Sequence, residues 1–187
     1  ILQIKSEFGK IPKKLKLINC VGGGSSALGF WNEFINYDKN QIELIGVEAG
    51  GPRNSKLHAA PLTNNSKIGI LHGAKQYVIQ DKEGQIGKTE SISAGLDYPG
   101  ISPIHCYLKD IKRARYTAIS DEEALEAFKL VSSLEKISPS LEPSHAFAEA
   151  IKIAPKLKKD NILIVNSCGD SLKDKDIIKK RLGHYSR

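Results

Sequence analysis

The run of three glycines at Gly22, Gly23 and Gly24 is the feature that most constrains the fold of this sequence. An apolar run over 15–21 precedes it, and an amphipathic run over 25–36 follows it. Glycine lets the backbone turn sharply and approach a bound group closely, because it has no Cβ. The free N–H groups and positive dipole end at the start of a helix suit a phosphate. The pattern therefore predicts a strand, an anion-binding turn and a helix.

This glycine loop is not a complete fingerprint of either well-known phosphate-binding class. It lacks the Gly-Lys-Ser/Thr ending of a P-loop, and its spacing is not that of a GxGxxG dinucleotide site. Ser25 and Ser26 supply two further hydroxyl donors. The residues alone leave two interpretations open, a phosphate cradle on an α/β scaffold or a flexible turn without a ligand.

Length and charge narrow the class of protein. A chain of 187 residues is long enough for one α/β domain with a substantial core. The net charge is +7, with lysine clusters at 13–16, 156–159 and 173–180. No aromatic residues are interleaved with these lysines, so solvated helix faces are favoured over nucleic-acid binding.

Membrane and secretion signals are not found in the sequence. No apolar run reaches the roughly 20 residues of a membrane span, and no charged-then-apolar signal segment opens the chain. The three cysteines are isolated and form no CxxC pair, which disfavours structural zinc and favours a reducing, cytoplasmic setting. Because the chain contains no methionine, even at position 1, we expect a piece of a longer chain.

Hydrophobic periodicity predicts alternating strands and helices and hence a parallel sheet. Ser120 and Glu123 form a capping box before one helix, and Pro143 is expected to open the next. The almost wholly apolar strand 161–166 is expected at the centre of the sheet. The predicted strands are 16–21, 42–48, 115–119 and 161–166, and the predicted helices are 1–8, 25–36, 120–134, 143–157 and 174–182.

Three predicted loops follow or face the carboxyl ends of these strands. They are 22–26, 141–144 and 166–169. In open α/β sheets ligands bind at the carboxyl ends of strands, so we expect these loops to converge on one site. The stretch 53–100 is long and irregular, with short apolar pieces at 67–71 and 77–80, and such stretches are more often functional than idle.

Several segments resemble one protein family from nearly one end of the chain to the other. The segments are Cys-Val-Gly-Gly-Gly-Ser-Ser-Ala at 20–27, Leu-Ile-Gly-Val-Glu at 44–48, Ser-Ile-Ser-Ala-Gly-Leu-Asp-Tyr-Pro at 91–99, Asp-Glu-Glu-Ala-Leu-Glu-Ala-Phe at 121–128 and Leu-Glu-Pro-Ser-His-Ala at 141–146. Together they resemble the tryptophan synthase β chain, and they match only its carboxy-terminal portion. The resemblance implies a three-layer αβα fold with a mostly parallel twisted sheet, as in the phosphate-binding domain of fold type II enzymes.

The resemblance also implies a cofactor, substrates and partners. The family uses pyridoxal 5′-phosphate (PLP) to condense L-serine with indole into L-tryptophan and water. It forms a homodimer and docks an α chain that supplies indole. The lysine that binds PLP covalently lies upstream of Ile1 in the family. We therefore expect residues 1–187 to be a single α/β domain, the carboxy-terminal part of a two-domain chain, and to be inactive alone.

Two alternatives to this function remain open from the sequence. One is another PLP enzyme of fold type II, such as a serine or threonine dehydratase. The other is a fragment that binds the PLP phosphate or acts as a scaffold without catalysis, which the absence of the lysine favours.

The resemblance assigns the glycine loop, Gly22 to Ser26, to the phosphate of PLP. Ser26 departs from the family, which usually has asparagine there, and its hydroxyl can still donate to phosphate. Cys168 matches a position where many relatives have serine beside the pyridine nitrogen. A neutral hydroxyl or thiol there accompanies an unprotonated ring nitrogen, while the alternative for Cys168 is a simple buried thiol.

Two acidic residues match family positions that act in catalysis. Glu142 matches a glutamate that faces the PLP ring and assists the replacement at Cβ of serine. By residue type alone, Glu142 is instead favoured as a capping carboxylate at a helix start. Asp97 matches a residue that pairs with an arginine of the missing half, and its alternative is a turn residue before Pro99.

Further family positions concern a monovalent cation and a tunnel. The family holds Na⁺ or K⁺ with backbone carbonyls, which implicates Gly22, Tyr98 and Gly100. His72 stands where relatives have an aromatic residue that lines the indole tunnel, although a partly exposed residue at a strand end is slightly favoured. His145 is expected in the first turn of a helix, and no histidine has the spacing of a metal ligand.

Overall fold

The structure is a computed structural model that describes residues 2–9, 12, 14–64 and 66–183. His184 therefore lies outside the described residues. The helices are α1 (Leu2–Phe8), α2 (Ser25–Trp31), α3 (Pro103–Asp110), α4 (Asp121–Glu135), α5 (Leu141–Ile153) and α6 (Lys175–Leu182), and the strands are β1 (Lys14–Cys20), β2 (Ile42–Gly51), β3 (Lys67–Leu71), β4 (Ala74–Val78), β5 (Ala114–Ser120) and β6 (Asn161–Val165).

Four of the strands form one parallel sheet in the order β5-β2-β1-β6. Strand β1 pairs with β2 on one side and with β6 on the other. The expectation that β6 lies at the sheet centre is wrong, because β6 is an edge strand among the described residues and is half-buried throughout. Its apolar side chains pack on both faces of the sheet. A continuous apolar run therefore indicates burial on two faces, and it does not distinguish a central strand from an edge strand.

Helices cover both faces of the sheet, which confirms the αβα layers expected from the sequence. Side chains alternate along β1, so that Leu15 and Leu17 join the core under α2 and α3, while Ile18 and Cys20 join the core under α4 and α5. Alternation of this kind is what a strand buried on both faces requires.

Part of the irregular stretch is a β-hairpin. Strands β3 and β4 pair antiparallel and are joined by His72 and Gly73. The backbone φ angles of these two residues are 51° and 77°. Two positive values in a two-residue connection indicate the turn whose twist matches that of paired strands. His72 is thus an exposed residue of a hairpin turn.

The capping box at the start of α4 is confirmed. The Ser120 hydroxyl accepts from the Glu123 N–H, and the Glu123 carboxylate accepts from the Ser120 N–H at 2.9 Å. Phe128 and Val131 are buried as expected from the helical spacing, whereas Leu134 at the far end of the helix is 67% exposed. The apolar spacing in the sequence of α4 therefore continues one turn beyond the part of the helix that packs on the sheet.

Two of the predicted helices, α2 and α5, have different ends from those expected, and one further helix was not predicted. Helix α2 ends at Trp31 and continues as a short 3-10 turn over Asn32–Phe34. Helix α5 begins at Leu141 rather than at Pro143, so Pro143 occupies the third helical position, where its missing N–H has no helical partner to lose. Helix α3 was not expected, although Ser102 caps it and Pro103 opens it.

None of the helices within the described residues is long and apolar enough to cross a membrane.

Replacing the cap of α4 tests its contribution to stability. We expect Ser120→Ala to lower the free energy of unfolding by about 1 kcal/mol, because the Glu123 N–H loses its acceptor. The measurement is urea unfolding followed by circular dichroism. Ser133→Ala is the control, since Ser133 lies on the exposed face of the same helix, and it should change the value by less than about 0.5 kcal/mol. Equal losses in the two variants would contradict the cap.

Candidate functional site

The glycine loop follows β1, the strand at which the order of strand addition reverses in the sheet. The chain runs from β1 to β2 and β5 on one side, then returns with β6 on the other side of β1. Ligand sites in open α/β sheets form outside the carboxyl ends of the two strands at such a point. The loops 22–26 and 166–169 follow these two ends, and Asn166 donates from Nδ2 to the Ser26 hydroxyl at 3.4 Å.

A buried histidine from α3 holds the glycine loop in place. The Nε2 atom of His105 lies 2.9 Å from the Gly24 carbonyl oxygen, and its Nδ1 atom lies 2.7 Å from the Tyr116 hydroxyl. A carbonyl only accepts, so Nε2 carries the proton and Nδ1 accepts from Tyr116. Burial lowers the pKa of His105, which favours this neutral ring.

The glycines of the loop are required for different reasons. Gly24 has φ 103°, and a Cβ there would overlap the His105 ring. A Cβ on Gly22 would come within 2.5 Å of the Gly95 carbonyl oxygen. A Cβ on Gly23 would meet no atom within 4 Å. Gly22 and Gly24 are therefore packed against protein, whereas Gly23 is open to a ligand.

A cavity of about 470 Å³ opens beside Gly23. Asp97 and Tyr98 line it from the loop 93–98, and His72 lines it from the hairpin turn. The rings of His72 and Tyr98 are stacked with their centroids 6.0 Å apart. The structure thus brings Asp97 and His72 to the glycine loop, and the exposed carboxylate of Asp97 remains accessible for an ion pair.

Glu142 joins the same site from the start of α5. Its Oε1 atom accepts from the Gly95 N–H at 3.0 Å and from Lys173 Nζ at 2.7 Å. Its Oε2 atom is buried and has no hydrogen-bond partner among the described residues. Burial raises the pKa of Glu142, but hydrogen bonds from Lys173, from the Ser140 side chain and from its own backbone N–H, with the charge of Lys173, outweigh burial and lower the pKa to about 2. Glu142 is therefore a carboxylate with one oxygen left for another donor.

Glu142 does not itself cap the helix. Ser140 is the N-cap residue of α5, and the Leu141 N–H donates to the buried carboxylate of Asp174 at 2.8 Å. Asp174 also binds Lys173 at 3.0 Å. Ser140 thus holds the N-cap position and Asp174 accepts from the first helical N–H, while Glu142 lies in the first turn and is not the N-cap residue. His145 lies beyond the first turn of α5 and is fully buried.

Two cysteines and Ser26 meet at the ends of β1 and β6. The Sγ atoms of Cys20 and Cys168 are 3.6 Å apart. The Ser26 hydroxyl accepts from Asn19 Nδ2 at 3.1 Å. The hydrogen bond from the Cys20 thiol, with one from Ser26, lowers the pKa of Cys168 to about 6, although partial burial opposes the shift. These hydrogen bonds favour the thiolate form of Cys168, and its role beside the pyridine nitrogen stays a prediction.

The remaining candidate ligands concern metal ions. Gly22 packs against the loop that carries Tyr98, while Gly100 bridges to Val78 of β4. The cation site at the carbonyls of Gly22, Tyr98 and Gly100 stays a prediction. In residues 2–9, 12, 14–64 and 66–183, no group of three acidic, histidine or cysteine side chains is arranged to hold a metal ion.

Sequence reasoning missed three residues that shape this site. His105 and Lys173 contact the glycine loop and Glu142 respectively, and the Gly95 N–H joins Glu142 to the cavity. The Ser-Pro pair at 102–103 is the signal that could have located α3 and with it His105. Lys173 carries no such signal, because its partner Glu142 lies 31 residues away in the sequence.

Comparison with known proteins places the chain. No family model matches it. A tryptophan synthase β chain of Chromobacterium violaceum is 48% identical over 177 residues, which are 94% of this chain and 43% of that protein. The chain is homologous to part of a tryptophan synthase β chain. It matches a carboxy-terminal portion and spans less than half the length of that relative, so the expected resemblance is confirmed.

Solved structures confirm the fold. A threonine deaminase from T.th. has a TM-score of 0.55 at 16% identity, covering 90% of this chain and 54% of that one. A fungal L-serine ammonia-lyase from Rhizomucor miehei has a TM-score of 0.61 at 16% identity, covering 98% of this chain and 54% of that one. The αβα architecture is therefore that of fold type II enzymes, as expected for a β-chain homologue.

Two neighbouring glycines give a matched test of the loop. We expect Gly24→Ala to lower the free energy of unfolding by about 2–4 kcal/mol, because its Cβ meets the His105 ring at a strained φ. Gly23→Ala should change it by less than about 0.5 kcal/mol, since its Cβ enters open space. Thermal and urea unfolding measure both variants. Equal stability of the two would show that His105 does not hold the loop.

The ion pair of Glu142 predicts a dependence of stability on pH. Because its folded pKa of about 2 lies below the ordinary 4.5, ionised Glu142 stabilises the fold fully above about pH 4.5. That stabilisation is lost as the pH falls towards 2. Glu142→Gln should cost about 1 kcal/mol at pH 7 and should reduce the fall in unfolding free energy between pH 6 and 2.5. Glu126→Gln, at an exposed position of α4, is the control. An unchanged pH profile in Glu142→Gln would contradict the ion pair.

Proposed function

We propose that this chain forms the phosphate-binding half of a PLP-dependent tryptophan synthase β chain. With the rest of that polypeptide it would condense L-serine with indole to L-tryptophan and water. The observation that carries this proposal is the 48% identity to a tryptophan synthase β chain, together with the open glycine loop at the change of strand direction.

The residues of the site fit PLP. Gly23 provides a cradle that a Cβ would fill, and Ser25 and Ser26 lie exposed beside it at the start of α2. These residues would hold the phosphate through backbone N–H groups and hydroxyl groups. The buried Oε2 atom of Glu142 lacks a partner in the described residues, as expected for a group that waits for a ligand. Cys168 accepts a hydrogen bond from Ser26, so in this proposal it would face the ring of the same ligand.

PLP supplies an electron sink when it is bound, and this chain supplies orientation and charge. Glu142 is held as an anion by Lys173 and the Gly95 N–H, so its second oxygen would orient a hydrogen-bond donor of the substrate. Asp97 is exposed at the cavity and can pair with a cation from another part of the polypeptide. The stacked rings of His72 and Tyr98 would form one wall of the cavity beside bound indole.

The lysine that holds PLP covalently is proposed to lie outside these 187 residues. Among the described lysines, Lys173 is the one bound to Glu142, and it also binds Asp174. Burial lowers its pKa, but the two carboxylates outweigh burial and raise the pKa. A lysine that forms an imine must become a neutral amine, so Lys173 is suited to an ion pair. We therefore propose that the 187 residues alone do not make tryptophan.

Assembly and location belong to the same proposal. By analogy with the β-chain family, the protein would form a homodimer, receive indole from an α chain and act in the cytoplasm. A monovalent cation, Na⁺ or K⁺, would be held by carbonyls of Gly22, Tyr98 and Gly100. The 187 residues would be one domain of a two-domain chain.

Binding of PLP to the purified chain tests the cradle. We expect PLP to bind at least about tenfold more tightly than pyridoxal, which lacks the phosphate, and inorganic phosphate to displace it. Gly23→Val should fold normally and lose PLP affinity by at least about tenfold, because its side chain fills the open space. Gly29→Val, also in open space but within α2, should keep the affinity. Equilibrium dialysis with PLP absorbance measures all three.

Equal affinity for PLP and pyridoxal, or normal PLP binding by Gly23→Val, would contradict the phosphate cradle. The reaction itself is tested in the full-length polypeptide that carries this chain, supplied with serine in the presence and absence of indole. Tryptophan formation supports the β-chain activity, whereas pyruvate and ammonia from serine, independent of indole, would indicate a dehydratase.

A further inference from the structure

The contact between Cys20 and Cys168 joins two residues that are 148 positions apart in sequence. Cys20 ends β1, and Cys168 lies three residues beyond the end of β6. These strands are adjacent and parallel, and the Asn166 N–H continues their pairing by donating to the Ile18 carbonyl at 3.0 Å. Neighbouring strands lie about 4.8 Å apart, a spacing that a disulfide between adjacent strand ends can span.

The two sulfurs differ in exposure and in charge. Cys20 is 5% exposed, whereas Cys168 is open to solvent. The Cys20 thiol and the Ser26 hydroxyl donate to the Cys168 sulfur, and these hydrogen bonds lower the pKa of Cys168 to about 6. An exposed thiolate with a second thiol beside it is the arrangement of a redox-sensitive pair.

The third cysteine is differently placed. Cys106 is buried in α3, where its sulfur accepts from the Tyr77 N–H at 3.3 Å. It lies in the core under α2 and α3, whereas Cys20 lies in the core on the opposite face of the sheet. Cys106 is therefore an internal control for thiol chemistry at the other two.

We propose that Cys20 and Cys168 are a modification site, a dithiol that a hydroperoxide converts reversibly to a disulfide. The Cys168 thiolate attacks one peroxide oxygen, the O–O bond breaks, and hydroxide leaves to give a sulfenic acid. The Cys20 sulfur then attacks the Cys168 sulfur, an S–S bond forms, and water leaves with the Cys20 proton. Two thiols are oxidised and one hydrogen peroxide is reduced to two waters. A cellular dithiol reductant reverses the step.

The disulfide would alter the site that the glycine loop faces. Its formation removes the anionic sulfur beside Ser26 and draws together the ends of β1 and β6, between which the loop emerges. We expect oxidation to weaken PLP binding by about tenfold, and bound PLP to slow oxidation. This consequence rests on the proposed function, whereas the formation of the disulfide does not.

The experiment treats the purified chain with hydrogen peroxide and counts thiols with a chromogenic disulfide reagent. Peptide mapping by mass spectrometry without reduction locates the bond. We expect two of the three thiols to be lost, a cross-linked peptide pair that contains Cys20 and Cys168, and full recovery with dithiothreitol. Cys106→Ser should still form the cross-link, while Cys20→Ser and Cys168→Ser should not.

Two outcomes would overturn the redox pair. One is loss of thiols to sulfinic or sulfonic acid at Cys168 without a cross-link, and the other is a disulfide between two copies of the chain. Because a variant can fail to fold, the wild-type chain is also titrated with phenylarsine oxide, which binds a close dithiol. One arsenical bound with loss of two thiols supports the pair, and loss of none contradicts it.

The PLP measurement separates this inference from the proposed function. A disulfide that forms in a chain without affinity for PLP would leave the redox pair standing and contradict the cofactor site. Normal PLP binding in a chain that forms no disulfide would support the cofactor site and contradict the redox pair.

Discussion

Pairing of β1 on both of its edges is the constraint on which the rest of the structure depends. Strand β2 pairs with one edge of β1 and β6 pairs with the other. All three strands are parallel, so their carboxyl ends lie along the same end of the sheet. The glycine loop leaves β1 between them. A shift of β1 by one residue against both neighbours would turn Cys20 from the core under α4 and α5 to the opposite face. It would also separate the two loops that form the site.

The polar groups of the site are held by partners that come from distant elements. His105 from α3 fixes Gly24, and Lys173 after β6 fixes Glu142. Each partner also settles a charge state, since burial keeps His105 neutral and the ammonium of Lys173 keeps Glu142 anionic. Positions and protonation states are thus set together, which is what a preorganised polar site requires.

Features that depend on near neighbours in sequence could be predicted. The strand, loop and helix around Gly22, Gly23 and Gly24 follow from an apolar run, a break and an amphipathic run. The capping box at Ser120 follows from two residues three positions apart. The boundaries of α5 could not be predicted as well, because the acceptor for its first N–H is Asp174, 33 residues away. Helix α3 could not be predicted from periodicity, because a helix of eight residues after the cap Ser102 gives only a weak periodic signal.

The sequence by itself determined the strand, glycine loop and helix around Gly23, the αβα class and, through its motifs, the resemblance to part of a tryptophan synthase β chain. The reason is that backbone preferences and burial patterns act over a few residues and are written in consecutive positions. Only the tertiary structure decided that β6 is an edge strand, that Lys173 pairs with Glu142 and that Cys20 touches Cys168. Those outcomes depend on which residues packing brings together across 31 and 148 positions of chain, and no local pattern encodes that proximity.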